Sequence, residues 1–343
     1  MTQRTSQAKR IKILLPILVL AVVVAALISM SKKEAMYQKD SGFVFGTVYN
    51  ITYQSEVNLK AEIEAELKKV DNSLSMFNSE SVISKINKNE SVTLDSMFLR
   101  VFAVSSQVYK ESGGAFDITV APLVNVWGFG FKKGVNPDKN VIDSLRSIIG
   151  FDKVSLVNGR VVKADKRIML DCSAVAKGFA VDVVADFLRS KGISNFMVEI
   201  GGEIVTCGRN SQRQPWRIGV TKPTDDSLST NTELQTVLNL TDKAMATSGN
   251  YRNFYYKDGK KYAHTIDPKT GMPVQHNILS ATVIANDCAT ADAYATSFMV
   301  LGLDGARKVL EHHPELMVYF IYSDAKGKNS VWFSPELKDK VSE

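Results

Sequence analysis

The segment from Thr290 to Thr296 has the residue types and the spacing of a cation site. Asp292 and Thr296 are four residues apart, so on a helix their side chains share one face, with Cβ atoms roughly 5–6 Å apart. A carboxylate and a hydroxyl among small residues suit a hard cation such as Mg²⁺, which keeps water or substrate oxygens as further ligands. The alternative for the same residues is that Thr290 or Asp292 caps a helix N-terminus.

A second polar cluster, from Asp171 to Gly178, joins a predicted strand to a predicted helix. Backbone amides at the helix start, together with Lys177, would meet an anionic group there. A helix cap made by Asp171 or Ser173 explains the same residues.

A histidine stands just before a predicted turn, in which Asp267-Pro268 and Gly271 have the residue types that favour turns. At this position His264 could transfer a proton or contact a phosphate. A purely structural role is the alternative.

The elements that must position these residues follow from the spacing of apolar side chains. We predict helices over 59–74, 97–112, 176–192, 290–301 and 305–311, and a hairpin over 153–168 around Asn158-Gly159. Predicted strands cover 45–53, 196–200, 216–220, 237–240, 262–266, 278–285 and 317–322, and much of 209–236 is expected to be irregular. Helices and hairpins do not alternate regularly, which favours an α+β fold with mixed or antiparallel sheets flanked by helices.

Charge and motifs exclude several classes of function. The net charge of +6 comes entirely from six basic residues within positions 1–33, which contain no acid, so the rest of the chain is neutral and does not resemble a nucleic-acid-binding protein. No Walker A, GxSxG or HExxH sequence occurs. Cys172, Cys207 and Cys288 are too few and too widely spaced to indicate a disulfide framework or a CxxC site.

The uncharged apolar run over 13–30 predicts one N-terminal transmembrane helix. Four basic residues precede it, so the positive-inside rule leaves the N-terminus in the cytoplasm and exports the rest of the chain. We expect an uncleaved anchor, with a cleaved signal peptide as the alternative.

Taken in order, the polar clusters resemble the FAD:protein FMN transferases, also called ApbE-type flavin transferases. The resemblance runs from about Gly42 to Ser334 and is carried by eight motifs in register. These are Phe45-Gly-Thr47, Leu74 to Asn87, Gly114 to Gly130, Asp171 to Asp182, Glu199 to Glu203, Thr247 to Tyr251, His264 to Pro268 and Ala291 to Thr296.

The resemblance implies a membrane-associated enzyme outside the cytoplasm, on the periplasmic side of the inner membrane. Such an enzyme uses Mg²⁺ to cleave FAD at its pyrophosphate and attaches FMN through a phosphoester to a threonine of an acceptor protein. By family analogy the acceptors are subunits of membrane redox complexes. The implied domains are a cytoplasmic tail and anchor (1–33), a linker (34–42), a catalytic domain (43–335) and a C-terminal tail (336–343).

Site residues follow from the resemblance by matching position. Ala174, through its backbone carbonyl, Asp292 and Thr296 would bind the metal, and His264 would face the diphosphate and assist proton transfer. FAD would contact Phe45, Phe77, Ala115, Phe116, Asp117, Asp171, Lys177 and Ile266. Two other functions stay open: a metal-dependent FAD pyrophosphatase, in which water replaces threonine, and a non-catalytic FAD-binding protein.

Overall fold

The computed structural model describes residues 36–342 apart from 131–136, 225–232, 252 and 258. Within these residues the strands are β1 (Tyr37–Val44), β2 (Thr47–Gln54), β3 (Val154–Val157), β4 (Arg160–Lys163), β5 (Phe196–Ile200), β6 (Glu203–Cys207), β7 (Trp216–Thr221), β8 (Leu234–Leu240), β9 (Ala244–Gly249), β10 (Phe254–Lys257), β11 (Lys260–Ala263), β12 (Ile278–Ala285), β13 (Met317–Ser323), β14 (Asn329–Phe333) and β15 (Val341–Ser342). The α-helices are α1 (Lys60–Leu74), α2 (Val82–Asn87), α3 (Ser96–Glu111), α4 (Ala121–Val126), α5 (Lys139–Arg146), α6 (Ala176–Ser190) and α7 (Cys288–Leu310).

The main sheet has eight strands in the order β1-β2-β5-β6-β9-β12-β13-β14, and all its neighbouring strands are antiparallel. A smaller sheet has the order β15-β8-β7, and two hairpins, β3-β4 and β10-β11, stand apart. This arrangement confirms the α+β prediction. A doubly wound fold would need parallel neighbours.

The main sheet separates two hydrophobic cores. On one face, residues such as Ile51, Val198 and Val283 pack with helices α1, α6 and α7. On the other face, Ile204 and Met245 pack against the smaller sheet. Side chains alternate between the two faces along each strand, so a strand covered on both sides, such as β12, is apolar at nearly every position.

The long helices form where the apolar spacing predicted them. In α1, Ile63, Leu67, Val70 and Leu74 are buried on one face. The two predicted helices over 290–301 and 305–311 are one helix, α7, interrupted at Gly302, whose φ of 72° is not helical. Glycine adopts this left-handed backbone without the steric cost that a Cβ brings.

Several boundaries differ from the predictions. Tyr37–Val44, inside the expected linker, forms edge strand β1, and Phe45-Gly46 turn the chain into β2 rather than starting that strand. The expected C-terminal tail includes buried Leu337 and strand β15, which pairs with β8. Strand β1 has a mixed, partly polar sequence and forms a hairpin with its neighbour β2, whereas β15 is short and pairs with β8 about a hundred residues earlier. Local residue patterns reveal neither pairing.

The predicted transmembrane run, 13–30, lies outside the described residues. Among the helices that the structure describes, none has both the length and the apolar character needed to span a bilayer.

Candidate functional site

Most of the predicted site residues line one cavity of about 390 Å³. The cavity lies where the N-terminal half of α6, the first turns of α7 and the β5-β6 turn meet the loops after α3 and β11. It brings together Phe77, Ala115, Phe116, Asp117, Asp171, Ala174, Lys177, His264, Ile266, Asp292 and Thr296. Phe45 lines an adjoining cavity of about 620 Å³, which shares Phe77, Ser173 and Lys177 with the first. Motifs that are far apart in the chain thus come together in one continuous site.

Helices α6 and α7 cross at Gly178. A Cβ at this position would lie 2.3 Å from the carbonyl oxygen of Cys288 and 2.8 Å from the Cβ of Asp292, distances too short for any side chain. The close approach lets the backbone N–H of Gly178 donate to Oδ2 of Asp292 at 3.0 Å. Glycine is therefore required here to place the Asp292 carboxylate against the start of α6.

The N-terminus of α7 is capped by residues other than those first considered. Oδ1 of Asp287 accepts from the backbone N–H of Thr290 at 2.8 Å. The carboxylate of Asp182, from α6, accepts from the N–H groups of Cys288 and Ala289 at 2.8 and 2.9 Å. Burial raises the pKa of Asp182 to about 7, although these two hydrogen bonds oppose the shift. Capping by Thr290 or Asp292 is thus excluded, and Asp292 is left to face the cavity.

The start of α6, unlike that of α7, has no cap from its own N-cap residue. Its N-cap residue is Val175, and no side chain bonds to the first turn from there. Oδ1 of Asp171 instead accepts from the N–H of Ser173 at 2.8 Å within the preceding turn. The alternative that Asp171 or Ser173 caps this helix is therefore excluded.

Three charged side chains form a cluster, here called the charged wall: Lys177, Glu203 and Asp292. The two carboxyl groups are buried, and the Lys177 side chain is half-buried. Lys177 forms an ion pair with Glu203, whose side chain is almost fully buried. Burial alone would lower the pKa of Lys177, but the negative charges of Glu203 and Asp292 outweigh it and raise this pKa above its usual value. Burial also raises the pKa of Asp292, an effect that Lys177 opposes. Lys177 therefore stays a cation, held beside two carboxyl groups.

One oxygen of the charged wall has no partner. Oε2 of Glu203 is buried and makes no hydrogen bond to any described residue. A buried carboxylate oxygen without a donor is costly, and such atoms mark places where an ion or ligand completes the arrangement. The described residues contain no cluster of three or more His, Cys, Asp or Glu side chains of the kind that forms a metal site by itself.

Hydroxyl groups continue the polar surface from the charged wall onto the main sheet. Oγ1 of Thr296 lies 3.3 Å from Oγ of Ser248 in β9, and Oγ1 of Thr247 lies 2.9 Å from Oγ1 of Thr282. Ala174, in the turn before α6, lines the same cavity. The three residues predicted to bind metal thus line the same cavity, and hydroxyl groups lie beside Thr296.

His264 lines the same cavity as the charged wall and follows strand β11. Its Nδ1 is 3.2 Å from the backbone oxygen of Asn253, and its ring contacts that of Phe129 edge-on, with centroids 6.4 Å apart. A carbonyl oxygen only accepts hydrogen bonds, so Nδ1 carries the proton and Nε2 keeps a lone pair. Burial, together with the positive charge of Lys177, lowers the pKa of His264, while the bond to Asn253 opposes this. The imidazole is therefore neutral at pH 7 and able to accept a proton.

Asp117 lines the cavity and belongs to a buried hydrogen-bond network. Its Oδ1 accepts from the backbone N–H and from Oγ1 of Thr119, at 2.8 and 2.7 Å. Oγ1 of Thr119 in turn accepts from the N–H of Gly150 at 2.8 Å. Burial raises the pKa of Asp117 to about 6. Ala115 and Phe116, also buried, precede it on the same loop.

Two phenylalanines, here called the aromatic rim, stand at the mouth of the site. Phe77 is 76% exposed and lines both cavities. Phe45 lies in the β1-β2 turn with a φ of 51°, a left-handed backbone that costs free energy for a residue with a Cβ. Ile266 is buried and forms an isolated bridge with Pro273, which closes the turn after His264.

Two residues of the site were given no role by sequence reasoning. Glu203 and Asp182 both lie within the quoted motifs, but an acid in a polar motif does not by itself indicate its partner. A usable signal for Glu203 was its place directly after Gly201-Gly202, where a tight turn begins a buried strand.

Comparison with known proteins places the chain in one family. The ApbE family profile matches residues 45–320. A protein of Haemophilus influenzae named FAD:protein FMN transferase is 36% identical over 326 residues, covering 90% of this chain and 93% of its own length. The crystal structure of the flavin transferase ApbE from Vibrio cholerae superposes with a TM-score of 0.81 at 35% identity, covering 89% of this chain and 99% of that one. The flavinyl transferase ApbE of Pseudomonas stutzeri gives a TM-score of 0.78 at 30% identity, with coverages of 88% and 96%.

Proposed function

This chain belongs to the ApbE family, and from that premise we propose that it is an FAD:protein FMN transferase that flavinylates a threonine of an acceptor protein. The observation that carries the proposal is one cavity lined by a fixed cation, a buried carboxylate and a neutral histidine, with the exposed ring of Phe77 at its edge and Phe45 in the adjoining cavity. A dinucleotide with a diphosphate at its centre and a flavin at one end matches this order of groups.

The proposed reaction exchanges one phosphorus–oxygen bond for another. The threonine oxygen of the acceptor attacks the phosphorus atom of the FMN half of FAD and forms the phosphoester bond. The bond from that phosphorus to the bridging oxygen breaks, and AMP leaves with this oxygen. The threonine proton passes to a base, so FMN-protein, AMP and one proton are the products.

The residues of the cavity have distinct parts in this scheme. Nε2 of His264 accepts the threonine proton, because a hydroxyl attacks poorly at neutral pH without a base. Lys177 stabilises the negative charge that develops on the diphosphate oxygens, since phosphoryl transfer depends mainly on positioning and on charge compensation. The aromatic rim stacks on the isoalloxazine ring. Glu203 keeps Lys177 in place.

The donor set also fits Mg²⁺. The side chains of Asp292 and Thr296 and the carbonyl of Ala174 are all oxygen donors, as this hard cation prefers, and the orphaned oxygen of Glu203 lies close by in the charged wall. When bound, the ion would offset charge on the transferring phosphoryl group. We propose magnesium dependence on this ground.

The same geometry admits water in place of threonine, so hydrolysis of FAD to FMN and AMP is the second candidate function.

We also propose a location for the enzyme. An anchor over 13–30 would hold the catalytic domain on the periplasmic face of the inner membrane, where subunits of membrane redox complexes would present the target threonine.

Incubation of residues 36–343 with FAD, Mg²⁺ and a candidate acceptor domain tests the proposal. We expect covalent flavin fluorescence on the acceptor in a denaturing gel, release of one AMP per flavin, and loss of both with EDTA. An acceptor whose target threonine is changed to alanine is the control. Release of AMP with no labelled acceptor would favour the hydrolase, and binding of FAD without AMP would favour the non-catalytic protein.

A further inference from the structure

A groove of about 490 Å³ opens on the other face of the main sheet. It meets the cavity of about 390 Å³, from here on called the FAD cavity, at Gly201 and Thr247, which line both. Building on the proposed function, we propose that this acceptor groove binds the threonine-bearing segment of the acceptor protein in an extended conformation, as a strand added to β7. Its other lining residues include Thr47, Val48, Met197, Glu199 and residues 217–221.

The groove follows the edge of a strand. Side chains along a strand alternate between its two faces, yet the five consecutive residues 217–221 of β7 all line this groove. The backbone of β7 is therefore what the groove exposes. In the order β15-β8-β7 the strand pairs with β8 on one side only.

An edge of this kind can bind an extended polypeptide. In an antiparallel ladder a strand with one neighbour directs every second residue's N–H and C=O away from that neighbour. Such free groups pair readily with an added strand, which gives main-chain affinity with little demand on sequence. The floor of the groove is the face of β2 and β5 that carries Val48, Met197 and Glu199.

The groove leads directly to the reacting groups. Strand β9 pairs with β6 only at Ala244 and Met245 and continues to Gly249, beyond the β5-β6 turn at Gly201-Gly202. This leaves Thr247 at the junction of the two cavities. The next residue, Ser248, lines the FAD cavity, with its Oγ 3.3 Å from Thr296 Oγ1. A segment that follows the groove past this junction would enter the FAD cavity beside Asp292.

The side chains of the groove suit a protein partner. Val48 is 55% exposed, and Phe43, its cross-strand partner, is 74% exposed, so together they offer an apolar contact. The Arg217 guanidinium is exposed and makes no hydrogen bond or ion pair with the described residues. A carboxylate on the acceptor segment would complement it. Glu199 is already bound by Asn50 Nδ2 at 2.7 Å and by the N–H of Gly202 at 2.8 Å.

The test uses an acceptor domain that the wild-type enzyme flavinylates, with Val48→Arg and Arg217→Glu as the variants. Val162→Arg is the matched control, because Val162 is also an exposed strand valine, 47% exposed, but lies in β4 away from both cavities. We expect each groove variant to raise the KM for the acceptor tenfold or more. Affinity for FAD, measured by quenching of flavin fluorescence, and thermal stability should stay at the wild-type level.

Three results would overturn the proposal. The first two are a wild-type KM for the acceptor in both groove variants and the same rise in KM in Val162→Arg. Loss of FAD affinity in parallel with transfer would also contradict it, because the groove would then belong to the FAD site. A failure of the proposed function is distinguishable, since it would appear as absence of transfer in the wild-type enzyme itself.

Discussion

The carboxyl groups of the charged wall and Phe77 of the aromatic rim are at opposite extremes of burial within one site. Glu203 and Asp292 are 2% and 3% exposed and are held by α6, α7 and β6, whereas Phe77 is 76% exposed in a loop. Interactions between charges are stronger where water is excluded, so the groups that would stabilise phosphate charge are built into the core. A stacking surface must instead be accessible before its ligand arrives. The enzyme thus holds its charged groups in place before the substrate binds, and the residue that would recognise the flavin lies at the surface.

Of the changes that test this contrast, loss of the charge at Asp292 is expected to have the largest effect on activity. Asp292→Asn should reduce transfer and FAD hydrolysis by roughly a thousandfold or more, since compensation of phosphoryl charge contributes several kcal/mol. The asparagine oxygen can still accept from Gly178, so the melting temperature should stay close to that of the wild type. Steady-state assays in excess Mg²⁺, paired with a thermal melt, measure both. Full activity of this variant would remove Asp292 from the catalytic residues.

Asp182→Ala tests the two hydrogen bonds from the start of α7 to Asp182 in α6, here called the clamp, which hold together the helices that carry the charged wall. The change leaves the N–H groups of Cys288 and Ala289 without an acceptor and should lower the free energy of unfolding by roughly 2–4 kcal/mol. Asp186→Ala, one turn along the same helix and exposed, is the control and should change stability by less than about 0.5 kcal/mol. Urea unfolding compares the two. Equal effects would show that the clamp is not needed.

His264→Ala separates proton transfer from binding. Turnover should fall about a hundredfold, the usual scale for general base assistance, with FAD affinity within a few-fold of the wild type. Because the pKa of His264 is lowered, its neutral form persists into mildly acidic solution, and activity should fall only when the pH drops through this lowered pKa. The variant should lack this acidic limb. His312→Ala, an exposed histidine, should behave as the wild type.

If His264 only braces the turn before Pro273, stability and FAD affinity would fall together and turnover of bound FAD would be unchanged. Single-turnover kinetics with FAD in excess, run at several pH values, distinguishes the two roles.

Phe77→Ala should give the smallest effect and act on binding alone. Removal of one stacking ring should raise the Kd for FAD about tenfold, with no change in stability because the side chain is already exposed. Phe43→Ala is the control, because Phe43 is 74% exposed but lines neither the FAD cavity nor the adjoining cavity of about 620 Å³. This variant should leave the Kd for FAD unchanged. A destabilised Phe77 variant would show that the rim is structural, and the contrast with the charged wall would then disappear.

Local patterns determined much of the fold. The apolar spacing of α1 and the Asn158-Gly159 turn between β3 and β4 were read correctly because helix and hairpin periodicity depends on neighbouring residues. The family was also recognisable from the order of its motifs. Strand β1 and the pairing of β15 were missed because their hydrogen bonds join segments distant in the chain or polar in composition.

The sequence by itself determined which residues were candidates: Asp292, Thr296, Lys177 and His264 were singled out by type and spacing. Only the tertiary structure decided whether Asp292 caps a helix or faces the cavity. Asp292 bonds to Gly178, 114 residues away, and the capping task falls to Asp287 and to Asp182, 106 residues from Cys288. A carboxylate near a helix start can serve either purpose, and which one it serves depends on the donors that packing brings to it, here through the close crossing at a glycine.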